Sequence, residues 1–322
     1  MILYSWRSVQ GSVALNACAK IYAYDAGKRA LEAAIKRRGE DAVVLKAAGT
    51  GLGVYRVKRK VKNKSVSHII EGGSKHIFSM VDNIRNLSAV PVEIIIVLRE
   101  GESNVFDRDL TRDSGIKTVI CKKNATISEI YNAGAACSSE ENLIFSSKFI
   151  DLLDSDYPLG LLEHVQRDEI GVAGIKIIYP NGFYYHTGMI LGVNGVAGYA
   201  HRNIWQYPGY WNFAGCIRNY SALTWNFMAV SRKKFDEVKG FDSQFNQFGD
   251  VDFCLKLIAK GYRNLYTPYV IAVLNRSVHF LEELRNKEEE DILLGRYGAV
   301  IENDPMHHPL MSKTLEDFSI AL

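Results

Sequence analysis

Between Ser65 and Phe145 the apolar positions change period in a regular order. Val66 to Ile70 is a short apolar run, and a helical stripe from about Lys75 to Leu87 follows it. Val92 to Leu98 is a nearly continuous apolar run, the pattern of a strand covered on both faces. Ile116 to Cys121 predicts another strand. Ile127, Ile130, Tyr131 and Gly134 fall at helical spacing and predict a helix from Ile127 to Cys137. Leu143 to Phe145 is a fourth strand. The order β-α-β-β-α-β predicts a mostly parallel sheet with helices on both faces. Ligands of such sheets sit at the C-terminal ends of the strands.

The pattern continues on both sides. Downstream, a helix is predicted from Leu159 to about Arg167, then the strand IGVAGIKIIY. Asn181-Gly182 separates that strand from FYYHTGMILG and marks a hairpin turn. Gly192 to Gly198 is a glycine-rich loop. His201 to Tyr220 is irregular and aromatic, with Trp205, Tyr207, Tyr210, Trp211, Phe213 and Tyr220, which suits sugar rings and plain packing equally. Leu223 to Val230 and Tyr269 to Leu274 read as strands, Lys233 to Val238 as a short helix, and His279 to about Tyr297 as a charged amphipathic helix. Upstream, Asp25 caps a predicted helix ending at Arg38, with Gly39 as its stop, and Val43 to Leu45 is a strand. Gly49, Gly51 and Gly53 are followed by the alternating run VYRVKRKV, so no helix opens after them and they are not a dinucleotide fingerprint. The basic run Arg56 to Lys64 reads as a solvated linker or edge strand before a phosphate or nucleic-acid patch.

The densest stretch is Gly240 to Pro268, GFDSQFNQFGDVDFCLKLIAKGYRNLYTP. Gly240-Phe241-Asp242 is a tight turn, and Phe245 and Phe248 anchor a loop. Asp250 stands at the expected helix N-cap. Val251, Cys254, Leu255 and Ile258 form one apolar stripe, and Gly261 stops the helix. Two carboxylates, Asp250 and Asp252, therefore start a buried-face helix, as caps or as an acid or base presented to a cleft.

Composition narrows the classes. The 322 residues are 47% hydrophobic and 23% charged, an ordinary globular balance with ample core. A formal net charge of +3 is too small to demand nucleic acid or a membrane. The five cysteines, Cys18, Cys121, Cys137, Cys216 and Cys254, are scattered and odd in number, which fits a reduced setting with buried thiols. No apolar run reaches spanning length, and no signal-peptide core opens the chain. The expected location is cytoplasmic, or peripheral at the inner face of the membrane.

The motif order resembles family-2 glycosyltransferases of the GT-A fold. GFDSQF…GDVDFCLKLIAKGYRNLYTP is similar to their catalytic loop, and NYSALTWNFMAVSRKKFDEVKGFD to the strand and helix leading into it. IGVAGIKIIYPNGFYYHTGMILGVNGVAGYAHR and RYGAVIENDPMHHPLMSKTLEDFSIAL resemble segments of bacterial members that make surface polysaccharides. ILYSWRSVQGSVALNACAKIYAYDAGKRALEAAIKRRG resembles the junction between two tandem transferase domains, with the first domain missing or encoded separately. The implied organisation is a linker over 1–62, a GT-A domain over 63–300 and a tail over 301–322. The implied partners are a nucleotide-sugar donor, a carbohydrate or lipid-linked acceptor and an upstream transferase domain.

The resemblance also implies a site. The family holds a divalent metal, manganese or magnesium, on an Asp-x-Asp after the fourth strand, with an Asp on the later helix as general base. Asp250 matches the base. Where the metal motif belongs stands Ser146-Ser147-Lys148, whose ammonium repels a metal. The second strand ends Val97-Leu98-Arg99, the first in Glu71-Gly72-Gly73, and Leu274-Asn275 follows the last strand in place of a histidine. Trp225 stands where a small residue is usual, and Gly249 where an acidic one precedes the base. Two readings remain open. In one, a transferase uses Lys148 or Arg99 as the cation on the diphosphate, with Asp250 as base and Asp252, Trp225, His186 and His201 beside the substrates. In the other, the domain is a non-catalytic scaffold for a partner transferase. His307-His308 is expected at the surface, and Cys254 is expected to be inert.

Overall fold

A computed structural model describes residues 7–10, 15–16, 20–47, 51, 53–102, 115–205, 212–275 and 286–321. The expectations for Met1 to Trp6, Cys18, Gly49, Tyr207, Tyr210, Trp211 and the His279 end of the last helix lie outside these residues. The chain divides into two compact units, Met1–Lys60 and Val61–Leu322.

In the first unit, α1 (Ile21–Arg38) is followed by the antiparallel strands β1 (Ala42–Lys46) and β2 (Tyr55–Arg59). Gly39 stops α1 with φ 66°, as expected. Asp25 is not the cap. The apolar Ile21-Tyr22-Ala23-Tyr24 adds a turn ahead of it, and the cap position falls on Lys20. The first part of the basic run, Arg56 to Arg59, lies in β2 of this two-stranded sheet, and Lys60 to Lys64 follow outside any strand.

The second unit opens with β3 (Val66–Glu71), α2 (Ile77–Leu87), β4 (Val92–Arg99), β5 (Ile116–Cys121), α3 (Ile127–Cys137) and β6 (Asn142–Ser146). It continues with β7 (Ile150–Leu152), α4 (Tyr157–Val165), β8 (Ile170–Ile178), β9 (Tyr184–His186), β10 (Met189–Leu191), β11 (Ala197–Tyr199) and β12 (Arg218–Tyr220). It closes with β13 (Phe227–Ser231), α5 (Arg232–Glu237), α6 (Gly249–Ala259), β14 (Arg263–Leu274) and α7 (Lys287–Glu302). One sheet runs β12-β14-β8-β13-β6-β3-β4-β5, with β7 on β14 and β9 on β8. The half β6-β3-β4-β5 is parallel. The antiparallel β13 joins it to the parallel pair β8-β14, so the sheet is mixed.

The continuous apolar strands serve two cores through their two-residue period. Ile69, Ile95, Val97, Leu143 and Phe145 point to the side of α3, α5 and α6. Ile70, Ile94, Ile96, Leu98 and Ile144 point to the side of α2 and α4. A capping box of Thr126 and Glu129 starts α3. α4 starts at Tyr157, two residues before the expected Leu159, with Pro158 in its first turn, where the missing N–H costs nothing. Gly182 turns the β8–β9 hairpin with φ 87°. The last strand is expected to begin at Tyr269, but β14 begins at Arg263 and runs through Pro268. A register slip between Thr267 and Ile271 absorbs the missing donor. Among the described residues no helix is long and apolar enough to cross a membrane.

Candidate active site

Strand parity selects the site. Glu71 and Arg99 end β3 and β4 on the α3 side, at the C-terminal edge of the sheet. Lys148 follows β6 at the same edge. Lys148 Nζ lies 3.1 Å from Glu71 Oε1, and Arg99 Nη1 lies 3.3 Å from the same oxygen. Arg99 is also held by the Ala125 carbonyl at 3.0 Å. The side chains of Lys148, Arg99 and Glu71 are 16%, 19% and 10% exposed, so solvent reaches this cluster. His68 and Ser146 share the opposite parity. His68 is buried, with Tyr157 Oη 3.1 Å from Nδ1 and Ser146 Oγ 2.8 Å from Nε2. Burial pushes the His68 imidazole down to about 3, and it is neutral.

Asp250 belongs to the same face as Glu71 and Arg99. It is not an N-cap. The cap position is Phe248, no side chain caps the helix, and Asp250 lies inside the first turn of α6. Its Oδ2 accepts from the Trp225 backbone N–H at 3.2 Å and its Oδ1 from that of Val251 at 2.8 Å. The residue is 2% exposed, and burial pushes the carboxyl up to about 7 against those hydrogen bonds. Tyr131 joins the two parts. Its hydroxyl donates to the Trp225 carbonyl at 3.3 Å, and burial, with Glu71 and Asp250 nearby, pushes the phenol well above its ordinary pKa.

Two departures at this site form one packing solution. Trp225 is 7% exposed and packs against Tyr131 and Phe241 at steep ring angles, with centroids 5.8 Å from each. A Cβ on Gly249 would come within 2.4 Å of the indole and 2.5 Å of Ser128 Oγ. The indole therefore occupies the space that a side chain at 249 would need. Sequence reading treats these positions separately, because nothing in their spacing joins them.

The other expected site residues are held by partners of their own. Asp252 is fully buried under α7. Its Oδ1 accepts from Arg296 at 3.1 Å and Tyr297 at 2.9 Å, and Lys256 lies 3.3 Å from Oδ2. That carboxylate ties two helices together and is not paired with Asp250. His186 is buried against Tyr199, and burial lowers it to about 3. His201 is buried against Phe318 with Thr187 Oγ1 2.7 Å from Nδ1, and burial lowers it to about 4. Both histidines are buried against aromatic rings, and Tyr199, on which His186 packs, also feels the charge of Asp250. His307 is a correction: it is 7% exposed and packs on Phe318, because the tail folds back onto the sheet. Cys254 is buried and its thiol is pushed well above its ordinary range by desolvation.

The fit to a divalent metal is poor. Among the described residues no three His, Cys, Asp or Glu side chains gather to hold one. The carboxylate at the sheet edge, Glu71, is already engaged by two cations. Glu71 and Tyr131 are the members of the cluster that sequence reading missed. The available signal was a single carboxylate closing an apolar strand at a C-terminal edge.

No family model matches the chain. The uncharacterized protein y4gI of Sinorhizobium fredii is 27% identical over 337 residues, covering 99% of this chain and 37% of its own length. The O-antigen biosynthesis protein RfbC of Myxococcus xanthus is 24% identical over 326 residues, covering 98% of this chain and 25% of its own. The chain thus spans a quarter to somewhat over a third of the length of these relatives. Among solved structures, GalNAc-T7 with UDP, GalNAc and Mn2+ superposes with a TM-score of 0.53 at 10% identity, over 74% of this chain and 50% of that one. The fold is GT-A. On this fold the Lys148–Glu71–Arg99 cluster and Asp250 share one sheet edge, and the second compact unit contains all of them.

Proposed function

We propose that this GT-A domain is a family-2-type glycosyltransferase that transfers a sugar from a nucleoside-diphosphate sugar to a hydroxyl of a carbohydrate or lipid-linked acceptor in surface-polysaccharide synthesis. The observation that carries the reading is the convergence of Lys148 and Arg99 on one point, Glu71 Oε1, at 3.1 and 3.3 Å. They come from the ends of different strands and meet at the sheet edge where such folds take ligands. Two cations held this way suit the two phosphates of a departing diphosphate, in place of a metal. Arg99 supplies a planar fork of donors, and Lys148 a point charge.

The acceptor oxygen forms a bond to the anomeric carbon. The bond from that carbon to the diphosphate oxygen breaks, and its electron pair leaves with the diphosphate onto Lys148 and Arg99. The acceptor proton passes to ionised Asp250. A carboxyl raised to about 7 is a stronger base than an ordinary one and is half ionised near neutrality. At 2% exposure it meets an acceptor only after the segment around it opens. Asp252, His186 and His201 have no part in this reading, and Trp225 shapes the site without contacting the donor phosphates.

A second reading, a non-catalytic GT-A domain that partners another transferase, draws on the closure of Asp250 and the packing of Trp225 into the core. Thermal-shift titration with uridine, guanosine and thymidine diphosphates separates the two. The transferase reading expects a shift that survives chelation of metals and is lost in Lys148→Ala and Arg99→Ala. No shift with any nucleoside diphosphate defeats it. Donor turnover is then expected in wild type and absent in Asp250→Asn.

A further inference from the structure

α7 reaches back over the start of α6 with a buried carboxylate. Glu289 is 4% exposed. Its Oε1 accepts from the Asn246 N–H at 2.9 Å, and its Oε2 from those of Gln247 at 2.9 Å and Phe248 at 3.1 Å. Three successive backbone donors thus end on one side chain, immediately before Gly249 and Asp250. The clamp is itself fixed. Asn286 Nδ2 donates to Glu289 Oε1 at 2.9 Å, and the Asn286 side chain caps α7 by accepting from the Glu289 N–H. The Asn286 N–H in turn donates to the Gln247 side chain at 2.7 Å. From the other side, Asn246 Oδ1 accepts from the Ile127 N–H at the start of α3, at 3.0 Å.

We infer that Glu289 is the positioning residue for Asp250: from α7 it holds the backbone of Asn246 to Phe248 and so sets where α6 begins. The inference rests on the base role given to Asp250 above. The geometry explains how a carboxyl in the first turn of α6 stays in place without a side-chain cap. A side chain with two acceptor oxygens and a full charge is required, because no neutral side chain accepts three N–H bonds in this fork. Among the described residues, the ionisable groups that face Asp250 are Tyr131 from α3, Tyr199 from β11 and Cys254 on α6 itself. Glu289 acts on it through the backbone.

The test is a titration of the full chain labelled with 13C-aspartate, followed by NMR without any substrate. The Asp250 carboxyl is identified by its loss in Asp250→Asn, and the readout holds or fails independently of sugar transfer. Wild type is expected to titrate near 7. In Glu289→Gln and in Glu289→Asp the midpoint is expected to fall by at least about one pH unit, as the segment loosens and water reaches the carboxyl. An unchanged midpoint in a folded variant overturns the inference. So does a shift in Glu289→Gln alone, since the shorter Asp keeps the charge and loses only the reach. Native-state amide exchange reads the same clamp without any variant. The N–H groups of Asn246, Gln247 and Phe248 are expected to exchange with those of α6, and exchange at the rate of an exposed loop overturns it.

Discussion

Asp250 carries its chemistry and a stability cost in the same feature, its burial. Its carboxyl rises from 3.8 to about 7 on folding, so the native state holds the proton more tightly than the unfolded one. The cost is absent below the unfolded value, grows through the interval and is complete above about 7, where it is on the order of 4 kcal/mol. Asp250→Asn removes that dependence and loses one acceptor. The stability gap between variant and wild type, read from urea unfolding, is therefore expected to move in the variant's favour by about 2–3 kcal/mol between pH 5 and pH 8.5. A gap that stays constant would mean that the carboxyl is hydrated in the native state. At this scale the sequence was partly legible. That Arg99 ends β4, that Lys148 follows β6 and that Asp250 stands at the start of α6 could be read. The meeting point of the two cations could not, since Glu71 is 28 positions from Arg99 and 77 from Lys148 in the chain.

Elements decide what a residue can reach. α6 was expected to bury one stripe, yet Phe253 and Leu257 are buried beside Val251, Cys254 and Leu255. The helix lies between the sheet, α5 and α7, so its outer face is also covered: Phe253 stacks on Phe235, and Asp252 pairs with Arg296. The start of the same helix passes under Trp225. Gly249→Ala brings a Cβ within 2.4 Å of the indole and is expected to cost about 1–3 kcal/mol by overpacking. In the Trp225→Leu background the same change is expected to cost less, with a coupling of at least about 0.5 kcal/mol in a double-mutant cycle. Ser128 Oγ remains 2.5 Å from that Cβ, so the relief is incomplete. Strictly additive unfolding energies would show that the two positions do not compete for one space.

Across the whole molecule, buried titratable groups set the response to acid. His68, His186 and His201 are held neutral by burial at about 3, 3 and 4, so each takes up a proton on unfolding below its ordinary 6.5. Asp250 does the opposite and releases one. The balance is nearly two protons gained at pH 5, and these four groups are expected to remove about 2–2.5 kcal/mol of stability per pH unit as the pH falls from 6 to about 4. Urea midpoints at pH 6, 5 and 4 measure it, and His68→Gln is expected to flatten the slope by about half. Periodicity, turn chemistry and strand order by themselves determined the alternating α/β architecture, down to the bounds of α3 and β5. Those signals are local, and each residue's neighbours along the chain are enough to read them. Only the tertiary structure decided which charges share an oxygen, that Trp225 and Gly249 fill one volume, and that Glu289 anchors the lead-in to Asp250. Those relations join residues far apart in sequence, and distance in space is set by packing.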